Sequence, residues 1–276
     1  MDSAVLITGC SSGIGHTAAH FLKTNGFRVI ASARSAADVD SLRQQGLEAV
    51  QLDLADEASI EAGFSETMAL TGGRLYGLFN NGAYGQPGAL EDLPTRALRE
   101  QLNTNLFGTH HLTRLALPAM LAAGTGRIIQ NSSILGFVAM PYRGAYNCSK
   151  FALEGYTDTL RLELRGTGVH VSLLEPGPIE TRFRENAKDA FLRYIRPADS
   201  RHGQAYRQTL ARLERPGPSS RFSLPPEACM APVLHALTSP RPRIRYPVTR
   251  PTRMMAWFKR LLTDRALDKM LAKAGG

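Results

Sequence analysis

Tyr146 and Lys150 stand four residues apart at the start of an amphipathic run, which puts both side chains on one face of a helix. A free phenol has a pKa of about 10 and is a poor acid–base catalyst at neutral pH. A nearby ammonium stabilises the phenolate and draws that value towards the working range. Ser133 lies thirteen residues upstream of Tyr146 and closes Ile128-Ile129-Gln130-Asn131-Ser132-Ser133, which reads as a buried strand carrying the hydroxyl at its C-terminal end. Near the N-terminus, Thr8-Gly9-Cys10-Ser11-Ser12-Gly13-Ile14-Gly15 follows a short apolar strand and opens a helix running from about Gly13 to Asn25. Glycines there permit a tight turn and let backbone N–H groups approach a pyrophosphate, whose charge the helix N-terminus favours. Each signal alone is weak, because Tyr-x-x-x-Lys also occurs as an exposed pair and glycine marks ordinary turns. In this order the three describe proton transfer beside a bound dinucleotide.

Positioning these groups takes alternating strands and helices. Ala4–Thr8, Phe27–Ala33, the segment ending at Asp53, Leu75–Phe79, the strand before Ser133, Val169–Leu174 and Ile244–Tyr246 read as strands. The pattern predicts a Rossmann-type, doubly wound α/β fold with a parallel sheet of about seven strands in one domain spanning residues 1–276. Asn103–Gly108 opens or interrupts a long helix that continues to about Ala122, and the Tyr146 helix runs to about Arg165. Residues 182–221 are the least regular segment and read as a substrate-facing lid, with Phe183, Phe191, Tyr194 and Ile195 as an apolar wall. Pro225–Thr238 reads as a further helix. In the tail, 252–274, Met254, Trp257, Phe258, Leu261 and Leu262 alternate with Arg253, Lys259 and Arg260, giving a basic amphipathic helix broken near Asp264 and resumed at Leu267. Such a helix docks on its own domain, packs in a dimer, or lies on an anionic membrane as a peripheral contact.

The chain has 276 residues and 43% hydrophobic content, enough for one well-filled α/β core. No apolar run approaches the roughly 20 residues that span a bilayer, and Ala4–Ile7 is a strand rather than part of a signal peptide. The three cysteines, Cys10, Cys148 and Cys229, have no metal-ligand spacing and fit a reducing, cytoplasmic setting. The net charge of +9 is uneven: residues 1–181 carry −4, residues 182–221 carry +6 and residues 241–276 carry +8. That asymmetry points either to an anionic partner or to a solvated basic surface. No nucleic-acid recognition motif accompanies it, so a specific nucleic-acid role is not expected.

The end of the second strand bears on the cofactor. An acid there binds the ribose 2′-hydroxyl of NAD, whereas an arginine accommodates the 2′-phosphate of NADP. This chain has Ala33-Arg34 with no acid until Asp38, and Ser12 could add a hydroxyl to the same phosphate. The reading is NADP(H).

Together, the glycine turn, Ser133, Tyr146 and Lys150 resemble the short-chain dehydrogenase/reductase family, in its single-domain branch. Leu6–Gly13, Arg143–Tyr146, Leu174–Pro178 and Arg245–Val248 carry a nearer likeness to bacterial NADP-dependent aldehyde reductases and to retinol- and hydroxysteroid-dehydrogenase-like members. The resemblance implies the strand order 3-2-1-4-5-6-7. It makes Asn105, Ser133, Tyr146 and Lys150 the catalytic set, with Asn105 anchoring a water that continues the proton relay. It assigns cofactor contacts to Gly9, Ser11, Ser12, Gly13, Ile14, Gly15 and Arg34, to Asp53 and Leu54 at the adenine, and to Asn81, Gly82 and Ala83. Tyr146 and Lys150 also contact the cofactor, and Pro176, Gly177, Ile179 and Thr181 lie over the nicotinamide. One departure stands out: the family order is Asn-Asn-Ala-Gly, whereas this chain has Asn80-Asn81-Gly82-Ala83. Glycine tolerates positive φ, so a different local backbone is expected there. The implied activity is NADPH-dependent reduction of an aldehyde or ketone, reversible as alcohol oxidation, by a homo-oligomer, with a lipophilic substrate among the candidates. The rival reading is a non-catalytic NADP(H)-sensing regulator of the same fold. The complete proton-relay set argues against it.

Overall fold

The computed structural model describes residues 3–215, 217–218 and 220–274. The first half contains β1 (Ala4–Ile7), α1 (Gly13–Thr24), β2 (Arg28–Ala33), α2 (Ala36–Gln44), β3 (Glu48–Gln51), α3 (Glu57–Leu70) and β4 (Gly77–Asn80). The second half runs through α4 (Thr95–Leu102), α5 (Gly108–Ala122), β5 (Gly126–Asn131), α6 (Gly144–Glu163) and β6 (Val169–Glu175). It ends with α7 (Phe183–Tyr194), α8 (Gly203–Glu214), α9 (Met230–Thr238), β7 (Arg245–Pro247), α10 (Arg250–Leu261) and α11 (Asp264–Ala274). The described strands form one seven-stranded parallel sheet in the order β3-β2-β1-β4-β5-β6-β7. This is the Rossmann-type doubly wound fold read from the sequence.

The central strands β1, β4 and β5 are buried along their whole length, because helices cover both faces of the sheet. Alternate residues serve opposite layers. Val5, Ile7, Phe79 and Ile129 pack with Ala18 and Leu22 of α1 and Val233 of α9. Leu6, Leu78 and Ile128 pack with Leu112 of α5 and Leu160 of α6. From β1 the sheet extends to β2 on one side and to β4 on the other. The crevice at that reversal, outside the C-terminal strand ends, is where ligands bind in such sheets, and Thr8–Gly15 runs through it.

Two expectations change, and the open choice for the tail narrows. Residues 182–221 are largely regular, with α7 and α8 held by a small core of Phe191, Ile195 and Tyr206 against Ala89. Only a few residues per helix turn inward there, among them Ala187, Ala190, Phe191, Tyr206 and Leu213, so the many arginines masked the stripe. Asp53 lies beyond β3, which ends at Gln51. The tail docks on its own chain: Met255, Leu267 and Leu271 pack on Ile134 and Val138, just past Ser133. Among the described residues, no helix is long and apolar enough to cross a membrane.

Candidate active site

Ser133 follows β5 directly, in extended backbone (φ −170°), and its Oγ accepts from Leu135 N at 3.1 Å. Tyr146 and Lys150 occupy the first turns of α6, with Lys150 Nζ 5.6 Å from the Tyr146 ring centroid. Lys150 Nζ donates to Asn131 O at 2.6 Å, which fixes the ammonium behind the phenol. Burial pushes the Tyr146 phenol up to about 12, and the Ser133 hydroxyl opposes that rise. Burial pulls Lys150 down to about 8, with Glu154 opposing. The sequence predicts that Lys150 lowers the phenol; in the folded chain burial of Tyr146 raises it instead, with Ser133 as the opposing group.

Asn105 is buried in a π-helical turn, Asn103–Phe107, between α4 and α5. Such turns frequently sit at functional sites. Its Nδ2 donates to Tyr84 O at 2.9 Å and to Ser149 Oγ at 3.1 Å, while its Oδ1 accepts from Tyr84 N at 3.2 Å. Ser149 Oγ in turn donates to Tyr146 O at 2.8 Å. The Asn105 amide is therefore bonded to protein groups and ties the segment after β4 to α6.

The glycine turn is a cradle. Gly9 (φ 69°) and Gly13 (φ 61°) occupy the left-handed region that favours glycine. A Cβ on Gly15 would fall 2.5 Å from Asn81 Nδ2 and against the Gly9 carbonyl. Asn81 Nδ2 donates to Thr8 O at 3.0 Å, and Asn81 Oδ1 accepts from Asn131 Nδ2 at 2.9 Å, stitching the ends of β1, β4 and β5 together. Ser12 is the N-cap of α1, yet its hydroxyl makes no capping bond. Ser11 is exposed beside it, and Ile14 packs back onto the core. A Cβ on Gly13 would fall 2.8 Å from Thr181 Cγ2, so the turn after β6 closes over the cradle. Pro176 O accepts from Ile134 N at 2.8 Å, a Cβ on Gly177 would fall 2.7 Å from Thr252 Oγ1, and Ile179 pairs with Leu224. A dinucleotide fits these open amides and unmet hydroxyls.

Arg34 is exposed immediately beyond β2. Asp38, the first acid after it, accepts from Ser35 Oγ at 2.6 Å within the α2 cap, so it belongs to the helix rather than to the cofactor crevice. Asp53 Oδ1 accepts from Ala55 N at 2.9 Å and shapes the turn that carries Leu54. Gly82 and Ala83 correct an expectation: neither has positive φ. Glycine is needed at 82 for room, since a Cβ there would fall 2.6 Å from Leu54 Cδ1.

Of the proposed apolar wall, Phe183 meets a candidate catalytic side chain, with its ring 5.3 Å from that of Tyr146. Phe191 and Ile195 are buried behind it, and Tyr194 Oη donates to Glu100. Two features escaped the sequence reading. Gly85 admits the Phe183 ring, since a Cβ at Gly85 would fall 2.6 Å from Phe183 Cζ. Glu154 lies one helical turn past Lys150, a spacing visible in sequence whose importance only burial reveals. Cys10 and Cys229 are buried with their thiols pushed up to about 12 by desolvation, which suits packing rather than chemistry. Among the described residues, no group of His, Cys, Asp and Glu could hold a metal.

The family model for short chain dehydrogenase matches residues 3–190. The chain belongs to the short-chain dehydrogenase family. It is 43% identical over 271 residues to the uncharacterized oxidoreductase YbbO of Escherichia coli K12, covering 98% of this chain and 94% of that one. It is 33% identical over 256 residues to human 17-beta-hydroxysteroid dehydrogenase type 1, covering 88% of this chain and 76% of the human one. A solved structure of a short-chain dehydrogenase from Burkholderia phymatum, in complex with NAD, superposes with a TM-score of 0.79 at 26% identity, covering 98% of this chain and 94% of that one. As a short-chain dehydrogenase the chain is an oxidoreductase, and its seven-stranded sheet is that of the family.

Proposed function

We propose that this short-chain dehydrogenase is an NADPH-dependent reductase of aldehydes or ketones, reversible as an alcohol dehydrogenase. The observation that carries the reading is the grouping of Ser133, Tyr146 and Lys150 at the C-terminal end of β5, beside the glycine cradle. NADPH, when bound, supplies the hydride. Ser133 orients and polarises the carbonyl oxygen, and Tyr146 delivers the proton to it. Lys150 stabilises the phenolate left behind and is the residue that would hold the nicotinamide ribose. Asn105 holds Tyr84 and Ser149, and through Ser149 the backbone of Tyr146, at a fixed separation. Preorganised donors of this kind act in a dry site, where they stabilise developing charge most strongly.

Arg34 supports NADPH over NADH, because it is the first charged residue after β2 and Asp38 is held in the α2 cap. Phe183 and the helices of the lid supply an apolar cover, consistent with a lipophilic carbonyl such as the steroid named for the human relative. We further read the protein as a cytoplasmic homo-oligomer. The outward side of α10, with Met254, Trp257 and Leu261 exposed among arginines, offers a peripheral membrane contact. Co-sedimentation that is the same with neutral and anionic vesicles would remove that contact. The reductase reading is tested by NADPH oxidation, with NADH in parallel, across aliphatic and aromatic aldehydes, retinal and ketosteroids. Turnover with NADPH preferred supports it. Tight NADPH binding without turnover on any carbonyl favours a sensor instead.

A further inference from the structure

Lys150 and Glu154 lie one turn apart on α6, and both are buried, at 2% and 8% exposure. Charges so far from water need partners. Glu154 Oε2 accepts from Arg245 Nε at 3.2 Å, and Arg245 comes from β7, the last strand of the sheet. The same guanidinium reaches Asp158 Oδ2 at 2.6 Å and, from β6, Glu175 Oε1 at 3.2 Å. The groups around Glu154 are thus Lys150 and Asp158 on its own helix, Arg245 on β7, Glu175 on β6 and the Ser132 hydroxyl after β5. Beyond them, Arg161 pairs with Asp158 at 3.0 Å, and Arg260 of α10 acts on Glu175. A glycine leaves the space: a Cβ on Gly136 would fall 2.5 Å from Ser132 Oγ and 3.1 Å from Glu154 Oε1.

We propose that Glu154 is a positioning residue for the catalytic pair: its carboxylate, clamped by Arg245, is the buried counter-charge that keeps the Lys150 ammonium charged while the Asn131 carbonyl holds it behind Tyr146. Asp158 does not substitute for it. Asp158 stands a full turn farther from Lys150, is partly exposed, and is bonded to both Arg161 and Arg245. The clamp also explains why a strand at the sheet edge bears on the catalytic helix, since Arg245 joins β6, β7 and α6 at one point. The consequence for turnover rests on Tyr146 and Lys150 acting as read above; the electrostatic hold of Glu154 on Lys150 does not.

The test follows Lys150 itself. The chain has six lysines, so lysine labelled with carbon-13 at Cε gives a tractable NMR titration on the full-length protein. Wild-type Lys150 is expected to titrate near 8. In Glu154→Gln it should titrate about one pH unit lower, the size of effect expected from losing a neighbouring opposite charge. Glu154→Asp, which withdraws the charge by one methylene, should give a smaller shift in the same direction and carries the test if the glutamine variant does not fold. Asp158→Asn is expected to leave Lys150 nearly unmoved. In turnover, Glu154→Gln should lose about fivefold at pH 8, where the charged fraction of Lys150 falls from about one half to about one tenth, and recover as the pH falls towards 6. A Lys150 titration unmoved in Glu154→Gln, or moved equally by Asp158→Asn, overturns the proposal. A shifted Lys150 in an enzyme that reduces no carbonyl would uphold the counter-charge and sink the reductase reading instead.

Discussion

Replacing Gly82 with alanine tests whether space, rather than backbone freedom, explains the exchanged Gly-Ala pair. The added Cβ would stand 2.6 Å from Leu54 Cδ1 and 3.3 Å from Thr8 Oγ1, and Thr8 Oγ1 already accepts from the amides of Asn81 at 2.9 Å and Gly82 at 2.8 Å. Leu54 has little room to retreat, because its backbone lies against Gly108 of α5, where an ideal Cβ would fall 3.1 Å from Leu54 Cα. Overpacking of this kind costs about 1–3 kcal/mol. Leu54→Val alone removes one methylene from a buried side chain and should cost about 1 kcal/mol. If the methyl–methyl overlap is the cause, the double variant loses less than the two singles together, with a coupling of about 1–2 kcal/mol. Urea unfolding of the four proteins measures it, provided the m-values agree. Additivity to within about 0.5 kcal/mol would refute the steric account of Gly82.

Other outcomes follow from the same geometry. Gly15→Ala drives a methyl into the Gly9 carbonyl and Asn81 Nδ2, so NADPH affinity measured by fluorescence should fall at least about tenfold; unchanged affinity would place the cofactor elsewhere. Phe183→Ala removes the ring packed on Tyr146 and should raise KM for aromatic carbonyls while NADPH binding is retained; equal loss of both would make Phe183 a folding residue. Burial, then Glu154, pushes the Glu175 carboxyl up to about 8. The folded chain therefore holds that proton more tightly than the unfolded chain. The associated stability is full below about 4.5 and is lost as the pH rises through about 8. Glu175→Gln should flatten the pH dependence of the unfolding free energy across that window, by up to a few kcal/mol. A wild-type slope retained in the variant would count against it.

The parts of the fold carried by short stretches of chain were readable. Ala4–Ile7 is a continuous apolar run because β1 is buried on both faces, and the glycine turn after it needs only local backbone freedom to act. Tyr146 and Lys150 share a helix, so their spacing alone places them together, and the interruption at Asn103–Gly108 is the π turn before α5. What escaped depends on residues far apart in sequence. The fit of Leu54 to Gly82 joins the end of β3 to the end of β4. The Arg245 clamp joins β6, β7 and α6, and no spacing rule links those positions. The helices α7 and α8 were hidden because their inward residues are few and their outward ones are mostly charged. Three-way docking choices for the tail were open until Met255, Leu267 and Leu271 were seen against Val138. The direction of the Tyr146 shift was also beyond sequence, since it turns on burial rather than on the neighbouring ammonium.

The most direct test compares wild type with Tyr146→Phe for NADPH oxidation in the presence of an aldehyde, with NADPH binding measured on both. If Tyr146 delivers the proton, the variant binds NADPH as the wild type does and loses turnover by at least about a hundredfold. Turnover close to wild type in Tyr146→Phe would contradict the assignment of the reacting group.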